Sequence, residues 1–438
     1  MRSSASLGRP LLLAALAAAA GCSPASLPIT AEPLPGVTAL QGRNDALASD
    51  PPPPTGPLCG TDAWTTYGHD NARTSASGGC VFAPLRVAWT FVPRSPLGMM
   101  TFATHVVGDP ETVFVSGADG PSSAIWRVGA RDAAPAWVYS SGDGVRESWP
   151  TSADSRVYLA DDGVNVVDAA TGKGRMRELD AWGENLSDGA HLFVENNWYL
   201  DGYGLYVSAF DLDGTLLWRR DYNALVRSFR APDVGGLALA GGRLVHSAQH
   251  GGLSGTQLSA FDPQTSERLW TVATSPQSSP SLADGRVFTL ERWKGEHTDR
   301  LVARLLSDGT LVWARELAEA RGPAPVLAGR LVIVHARGGV YALDQASGQP
   351  VWSTALPRTA QPVQLATTLA AAMGSRTLVV LSGKTVHVIG LDDGGELWSG
   401  TPVAHAHRLE SPTVIGESLY VVADGHVLRM DGEREAPR

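Results

Sequence analysis

Val340-Tyr341-Ala342-Leu343-Asp344-Gln345-Ala346-Ser347-Gly348-Gln349-Pro350-Val351-Trp352 is the stretch that decides the fold. Val340–Leu343 is a short run with strand-forming side chains. Asp344 to Gly348 is turn chemistry: an Asp able to bond nearby amides, then a Gly free to take φ > 0. Gln349–Trp352 opens a second strand that ends in a large aromatic. Upstream, Ala324-Pro325-Val326-Leu327-Ala328-Gly329-Arg330-Leu331-Val332-Ile333-Val334 reads as strand, Gly turn, strand. Arg337-Gly338-Gly339 makes one more turn. Four short antiparallel strands in about forty residues is the pattern of a propeller blade.

The unit recurs. Gly214 precedes Trp218, Gly309 precedes Trp313, and Gly394 precedes Trp398 at the same spacing. Trp270 follows a copy with Ser266 in the Gly place, and Trp137 follows a degenerate copy. Val167 to Gly172 is a close copy in which Met176 stands where Trp is expected, and is predicted to fill the same gap. Trp89 closes a lone strand, Leu85–Phe91. The closing positions 89, 137, 176, 218, 270, 313, 352 and 398 lie 39 to 52 residues apart. Seven of the 13 Trp are thus closing residues, each predicted to pack on a neighbouring blade.

After Trp398 come three strand-like runs, at 411–415, 418–422 and 427–430, with no fourth. Leu85–Phe91 is the missing one. The expectation is an all-β, eight-bladed β-propeller of four-stranded antiparallel blades over residues 85–438, its ring closed by the N-terminal strand. Closure also hides sheet edges that invite aggregation.

The N-terminus reads differently. Met1-Arg2-Ser3-Ser4 and Arg9 lead into an apolar run from Leu11 to Ala20, the pattern of an export signal too short to span a bilayer. It ends in Ala19-Ala20-Gly21-Cys22, which resembles the cleavage box of bacterial lipoproteins. That resemblance implies a signal peptide over residues 1–21 and lipidation of Cys22. The chain has 3 Cys, so Cys59 and Cys80 are left to pair as a disulfide in an oxidising compartment. Residues 23–58 contain nine Pro and no hydrophobic period, so 22–58 reads as a disordered tether. Residues 59–84, enclosed by the two Cys, match no repeat position. His69, Asp70 and Arg73 within them are expected to bond this segment to the propeller.

The formal net charge of −9 excludes a nucleic-acid binder, which needs a basic surface. No G-x-S-x-G elbow, phosphate loop, CxxC or HExxH occurs. Hence no catalytic residue and no metal ligand is assigned.

The unit Gly329-Arg-Leu-Val-Ile-Val followed by Gly338-Gly-Val-Tyr-Ala-Leu-Asp-Gln-Ala-Ser-Gly-Gln-Pro-Val-Trp352 resembles the repeat of PQQ-type β-propellers. With the lipoprotein box and eight repeats, the chain resembles the outer-membrane assembly lipoproteins of the BamB type. The resemblance implies a lipid-anchored, outer-membrane protein, on the periplasmic or surface side, that binds a protein or peptide partner without catalysing a reaction. Quinoprotein alcohol dehydrogenases share the fold and imply the alternative, a quinone- or small-ligand-binding enzyme or sensor. They carry adjacent Cys beside the PQQ cofactor and long insertions; this chain has neither, so no cofactor is expected.

The expected partner surface lies where each blade's second strand turns into its third, beside the segments leading into the innermost strands. The second-to-third loops of blades three, four and five are the long ones. They carry Trp198, Tyr199 and Tyr203, then Gln249 to Leu253, then Trp293. Trp149, Arg227, Arg230, Arg321, Arg408 and Glu410 lie in the lead-in segments around the same mouth. Trp, Tyr and Arg are the residue types enriched at binding hot spots.

The lipoprotein box carries its own test. Changing Cys22 to Ser should move the protein from the membrane fraction to the soluble fraction, read by fractionation and immunoblot. Unchanged membrane partition rules out a lipid anchor at Cys22.

Overall fold

The turn that names the repeat closes as its residues dictate. Asp344 Oδ1 accepts from the Ser347 backbone N–H at 2.9 Å and from its hydroxyl at 2.7 Å, and Gly348 takes φ 65°. Asp168 with Thr171 and Asp262 with Thr265 repeat the arrangement. The side chain thereby replaces backbone partners that a tight turn cannot supply.

The structure, a computed structural model, describes residues 59–95, 99–141, 149–161, 163–179, 181, 183–196, 206–221, 235–248, 257–293, 298–320, 323–357 and 367–433. Cys22 and the tether lie outside them. Every regular element among the described residues is a strand. The strands form eight antiparallel blades, each a meander from an innermost to an outermost strand. The innermost strands are Thr101–Gly108, Thr151–Ala153, Asn185–Ser187, Gly235–Ala240, Ser281–Ala283, Val326–Ala328, Thr367–Ala372 and Leu409–Ile415. Each touches the next and the last touches the first, so the ring is closed around a central channel. The protein is an eight-bladed β-propeller.

Blade eight closes as the sequence predicts. Leu85–Phe91 pairs antiparallel with His426–Gly432, with Leu85 opposite Gly432 and Phe91 opposite Val427. Blades five and seven each carry one additional two-residue strand, Ser275–Pro276 and Ala76–Ser77.

The repeated Trp and the repeated Gly meet between blades. In six interfaces the indole N–H of one outermost strand donates to a carbonyl at the third-to-fourth turn of the next blade. The pairs are Trp89 to Ala130, Trp137 to Ala169, Trp218 to Pro263, Trp270 to Leu306, Trp313 to Gln345 and Trp352 to Leu391, at 2.8 to 3.2 Å. In four of the six the ring lies on the turn glycine, Gly172, Gly309, Gly348 or Gly394, whereas the turns that face Trp89 and Trp218 carry Ala133 and Ser266 at positive φ. A Cβ built on Gly348 would sit 2.6 Å from the Trp313 ring, and one on Gly394 2.6 Å from the Trp352 ring. The glycine therefore meets two demands at once: positive φ, and room for the preceding blade's indole. In blades three to six the residue paired with the Trp is an Ala (Ala209, Ala260, Ala303 and Ala342).

Met176 does not fill the gap expected of it. It stays 40% exposed. The carbonyl that an indole would cap, Leu212 O, instead accepts from Arg156 Nη1 at 2.8 Å and Tyr158 OH at 3.2 Å. Arg156 and Arg175 also pair with Asp213. A thioether has no N–H to donate, so this interface uses a guanidinium and a phenol.

Gly394→Ala should destabilise the fold more than Gly242→Ala. Both residues have positive φ (73° and 66°), but nothing lies within 4 Å of a Cβ at Gly242. The backbone term alone costs about 1–2 kcal/mol, and overpacking against Trp352 adds roughly 1–3 kcal/mol. Urea midpoints of the two variants check the order.

Candidate functional site

Residues 59–84 form no blade. They run as a collar inside the ring and visit the eight innermost strands in order. An innermost strand exposes an unpaired edge to the channel, and buried backbone groups there need partners. The collar supplies them. Trp64 exchanges two backbone hydrogen bonds with Gly108 of blade one. Ser152 N–H of blade two donates to Thr65 O at 2.7 Å. Asn71 Nδ2 donates to Ser187 O of blade three at 2.6 Å. Leu239, Leu282 and Leu327 N–H of blades four to six donate to Asn71, Ala72 and Thr74 O at 2.6, 2.8 and 2.8 Å. Ala371 and Met373 N–H of blade seven donate to Ser75 and Ser77 O, both at 2.8 Å. Cys80 N–H donates to Gly416 O of blade eight at 2.7 Å. The circle closes where Gly60 N–H donates to Gly78 O, beside the Cys59–Cys80 disulfide.

Most of these contacts fall near the turns joining first and second strands. The collar thus sits at the opposite end of the channel from the mouth where the sequence places the partner surface. Thr66, Arg73 and Ser77 have no exposed surface, so that end is filled.

Arg73 is the centre of the filling. Nε donates to Leu237 O at 2.9 Å, Nη1 to Thr66 Oγ1 at 3.0 Å and to Tyr67 O, and Nη2 to Asn185 O at 3.1 Å and Glu184 Oε2 at 3.4 Å. All three guanidinium nitrogens have partners, as a buried cation requires. Glu184 also accepts from Ser279 Oγ at 3.0 Å and Leu237 N–H at 3.2 Å, which ties together blades three, four and five. Burial pushes the Glu184 carboxyl up to about 7; Arg73 opposes the rise and the nearby Glu195 adds to it. Glu195 in turn holds His246 at 2.9 Å, both fully buried.

Tyr67 of the collar packs against blades one and two. Its ring meets Trp149 at 5.9 Å and His105 at 6.1 Å between centroids, and those two rings meet each other at 5.6 Å. Burial holds the His105 imidazole down to about 3, so it is neutral. His69 packs edge-on against Trp64, and Asp70 Oδ1 and Oδ2 accept from Thr74. His69, Asp70 and Arg73 therefore fasten the segment to itself and to the ring.

Of the residues expected at the partner surface, Trp149 lies against Tyr67 and its carbonyl accepts from Asn185 Nδ2 at 2.7 Å. Trp293 turns back onto blade five, where its indole N–H meets Glu291 Oε2 at 3.3 Å and the Arg300 guanidinium stacks 4.2 Å from its ring centre. Arg408 and Glu410 pair with each other at 2.8 Å. Trp198, Tyr199, Tyr203, Arg227, Arg230 and Arg321 lie outside the described residues, as do 249–253. Glu184, Glu195 and His246 had no signal in the sequence: none stands in a motif, and Glu195 and His246, which pair, are 51 positions apart. Among the described residues no group of three His, Cys, Asp or Glu is placed to hold a metal ion.

Unfolded, the Glu184 carboxyl has its usual value near 4.5; folded, it is near 7. Between those values the folded state binds more protons, so this group's contribution to stability falls as pH rises. The stability advantage of wild type over Glu184→Gln should therefore shrink from pH 4.5 to pH 7, read as the difference in urea midpoints at each pH.

The family model described as "Outer membrane protein assembly factor BamB" matches residues 204–361, 254–410 and 336–435, which together span more than half of the chain. No curated protein matches the sequence. Among solved structures, BamB from Moraxella catarrhalis is similar with a TM-score of 0.55 at 17% identity, covering 79% of this chain and 99% of that one. Quinohemoprotein alcohol dehydrogenase from Comamonas testosteroni is similar with a TM-score of 0.62 at 13% identity, covering 87% of this chain and 82% of that one. At these identities the structural likeness shows the shared propeller fold.

Proposed function

This chain belongs to the PQQ-repeat family described as outer membrane protein assembly factor BamB, and from that membership we propose that it is a non-enzymatic scaffold of the cell envelope. It binds a protein or peptide partner, with outer-membrane protein assembly as the process it serves. Lipid on Cys22 and the Pro-rich tether hold it to the outer membrane. The partner meets the mouth formed by the second-to-third loops of blades three to five and the neighbouring lead-in segments.

One observation carries the reading against a small-ligand enzyme. The polar groups that converge on the channel at Glu184, Asn185 and Leu237 converge on the chain's own Arg73. A ligand site needs such groups turned toward a ligand; here they are engaged by the collar. The loop and lead-in sequences assigned to the other mouth carry Trp, Tyr and Arg, the residue types that anchor protein interfaces.

Affinity capture from the native envelope identifies the partner. With it in hand, Trp198, Tyr203, Trp293 and Arg230 are each changed to Ala. At least one substitution should weaken binding tenfold or more, about 1.4 kcal/mol, with the melting temperature unchanged. Wild-type binding by all four places the surface elsewhere. Protein mixed with PQQ and calcium should retain no quinone absorbance after desalting; stoichiometric retention favours the enzyme reading that the dehydrogenase likeness raises.

A further inference from the structure

The collar is covalently closed. Cys59 and Cys80 are bonded, with Cα atoms 5.2 Å apart. The residues between them travel once around the channel and return. The result is a ring of chain seated inside the ring of blades, held by backbone hydrogen bonds to successive blades and, at blade three, by the Asn71 side chain.

The two sulfurs are differently placed. Cys80 is fully buried, and Gly374 leaves room for its Sγ: a Cβ there would come within 2.8 Å. Cys59 is half-buried. Of the two residues Cys59 is the less buried, which makes its side the approach for a thiolate. Beyond Cys80 the collar stays tied to blade eight through the strand Leu85–Phe91. On the other side, Cys59 is the point where the circle can part.

We propose that residues 59–80 are a redox-releasable stopper, seated in one end of the propeller channel and freed when a dithiol reduces Cys59–Cys80. The dithiol attacks the Cys59 sulfur and forms a mixed disulfide, while Cys80 leaves as a thiolate and takes a proton. The second thiol of the reductant then displaces Cys59. Two electrons and two protons pass to the protein, which gains two thiols, and the reductant becomes a disulfide.

Release follows from the loss of closure. While the disulfide stands, the collar is a preformed circle whose bonds to the blades cost little ordering. Once it opens, the same bonds must order a segment no longer joined to Cys80 at its Cys59 side. For a loop of about 20 residues, local opening rises roughly a hundredfold. The ring of blades keeps its own closure through the Leu85–Phe91 strand and the inter-blade indoles, so the stopper leaves without the propeller unfolding. The channel then changes from blind to open, and the inward edges of the innermost strands become free to pair with another extended chain.

Hydrogen exchange on the purified full-length protein tests this, with dithiothreitol as the dithiol and mass spectrometry to confirm reduction. The amides of Leu239, Leu282, Leu327 and Ala371 donate to the collar. After reduction they should exchange roughly a hundredfold faster, while second-strand amides such as Ile333 and Val379 stay within threefold. Cys59→Ser without reductant should match reduced wild type. Unchanged exchange at the four amides, in either form, overturns the proposal, because the collar is then held without the disulfide. Equal acceleration of the second-strand amides also overturns it, because the disulfide then supports the whole fold.

Discussion

A propeller blade cannot bury its two faces alone, so the whole ring rests on how one blade meets the next. Here the meeting point is an indole set on a turn. The Trp of an outermost strand gives its N–H to a carbonyl of the neighbouring turn and, in four interfaces, covers that turn's positive-φ glycine. The contact combines a large apolar area with one satisfied donor, which is what a buried or partly buried Trp can offer. It also explains why the glycine and the aromatic recur together although they sit in different blades in space. Arg156 and Tyr158 show the alternative: remove the indole, and the same carbonyl is capped by other donors.

The second constraint is the inward edge of the innermost strands. Eight edges face a narrow channel, and none can be paired by a neighbouring blade. The collar answers with its backbone, about one residue per blade, and with Arg73 at the centre. A buried guanidinium is tolerated because all its nitrogens are engaged and Glu184 lies alongside. That arrangement links blades three, four and five to a segment that belongs to none of them. It also fills one end of the channel with the chain itself.

The ring was legible in the sequence because its signal repeats. Trp218, Trp270, Trp313, Trp352 and Trp398 recur with turn residues at fixed offsets, and the three strands after Trp398 call for Leu85–Phe91. The collar was not legible in this way. Its partners are single residues in eight separate strands, so its sequence has no period. Only the flanking Cys59 and Cys80 marked it, together with His69, Asp70 and Arg73, read as fastening residues. The partner of Arg73 could not be named, since Glu184 is 111 positions away and stands in no motif. Met176 marks a different limit: an apolar side chain of suitable size fits the gap by volume, but the unfilled requirement there was for a donor.

The stretch from Cys59 to Phe91 touches both the innermost and the outermost layer of the ring. Its partners include Gly108, close behind it, and Gly432, near the other end of the chain. A polypeptide delivered from its N-terminus therefore presents its collar and its closing strand first and completes their binding sites last. Until His426–Gly432 arrives, Leu85–Phe91 is an apolar strand with an open edge, the kind of segment that associates wrongly when left waiting. Such non-local pairing is slow by topology alone. Maturation is thus governed by the C-terminal blade, and a chain truncated there loses its beginning as well as its end.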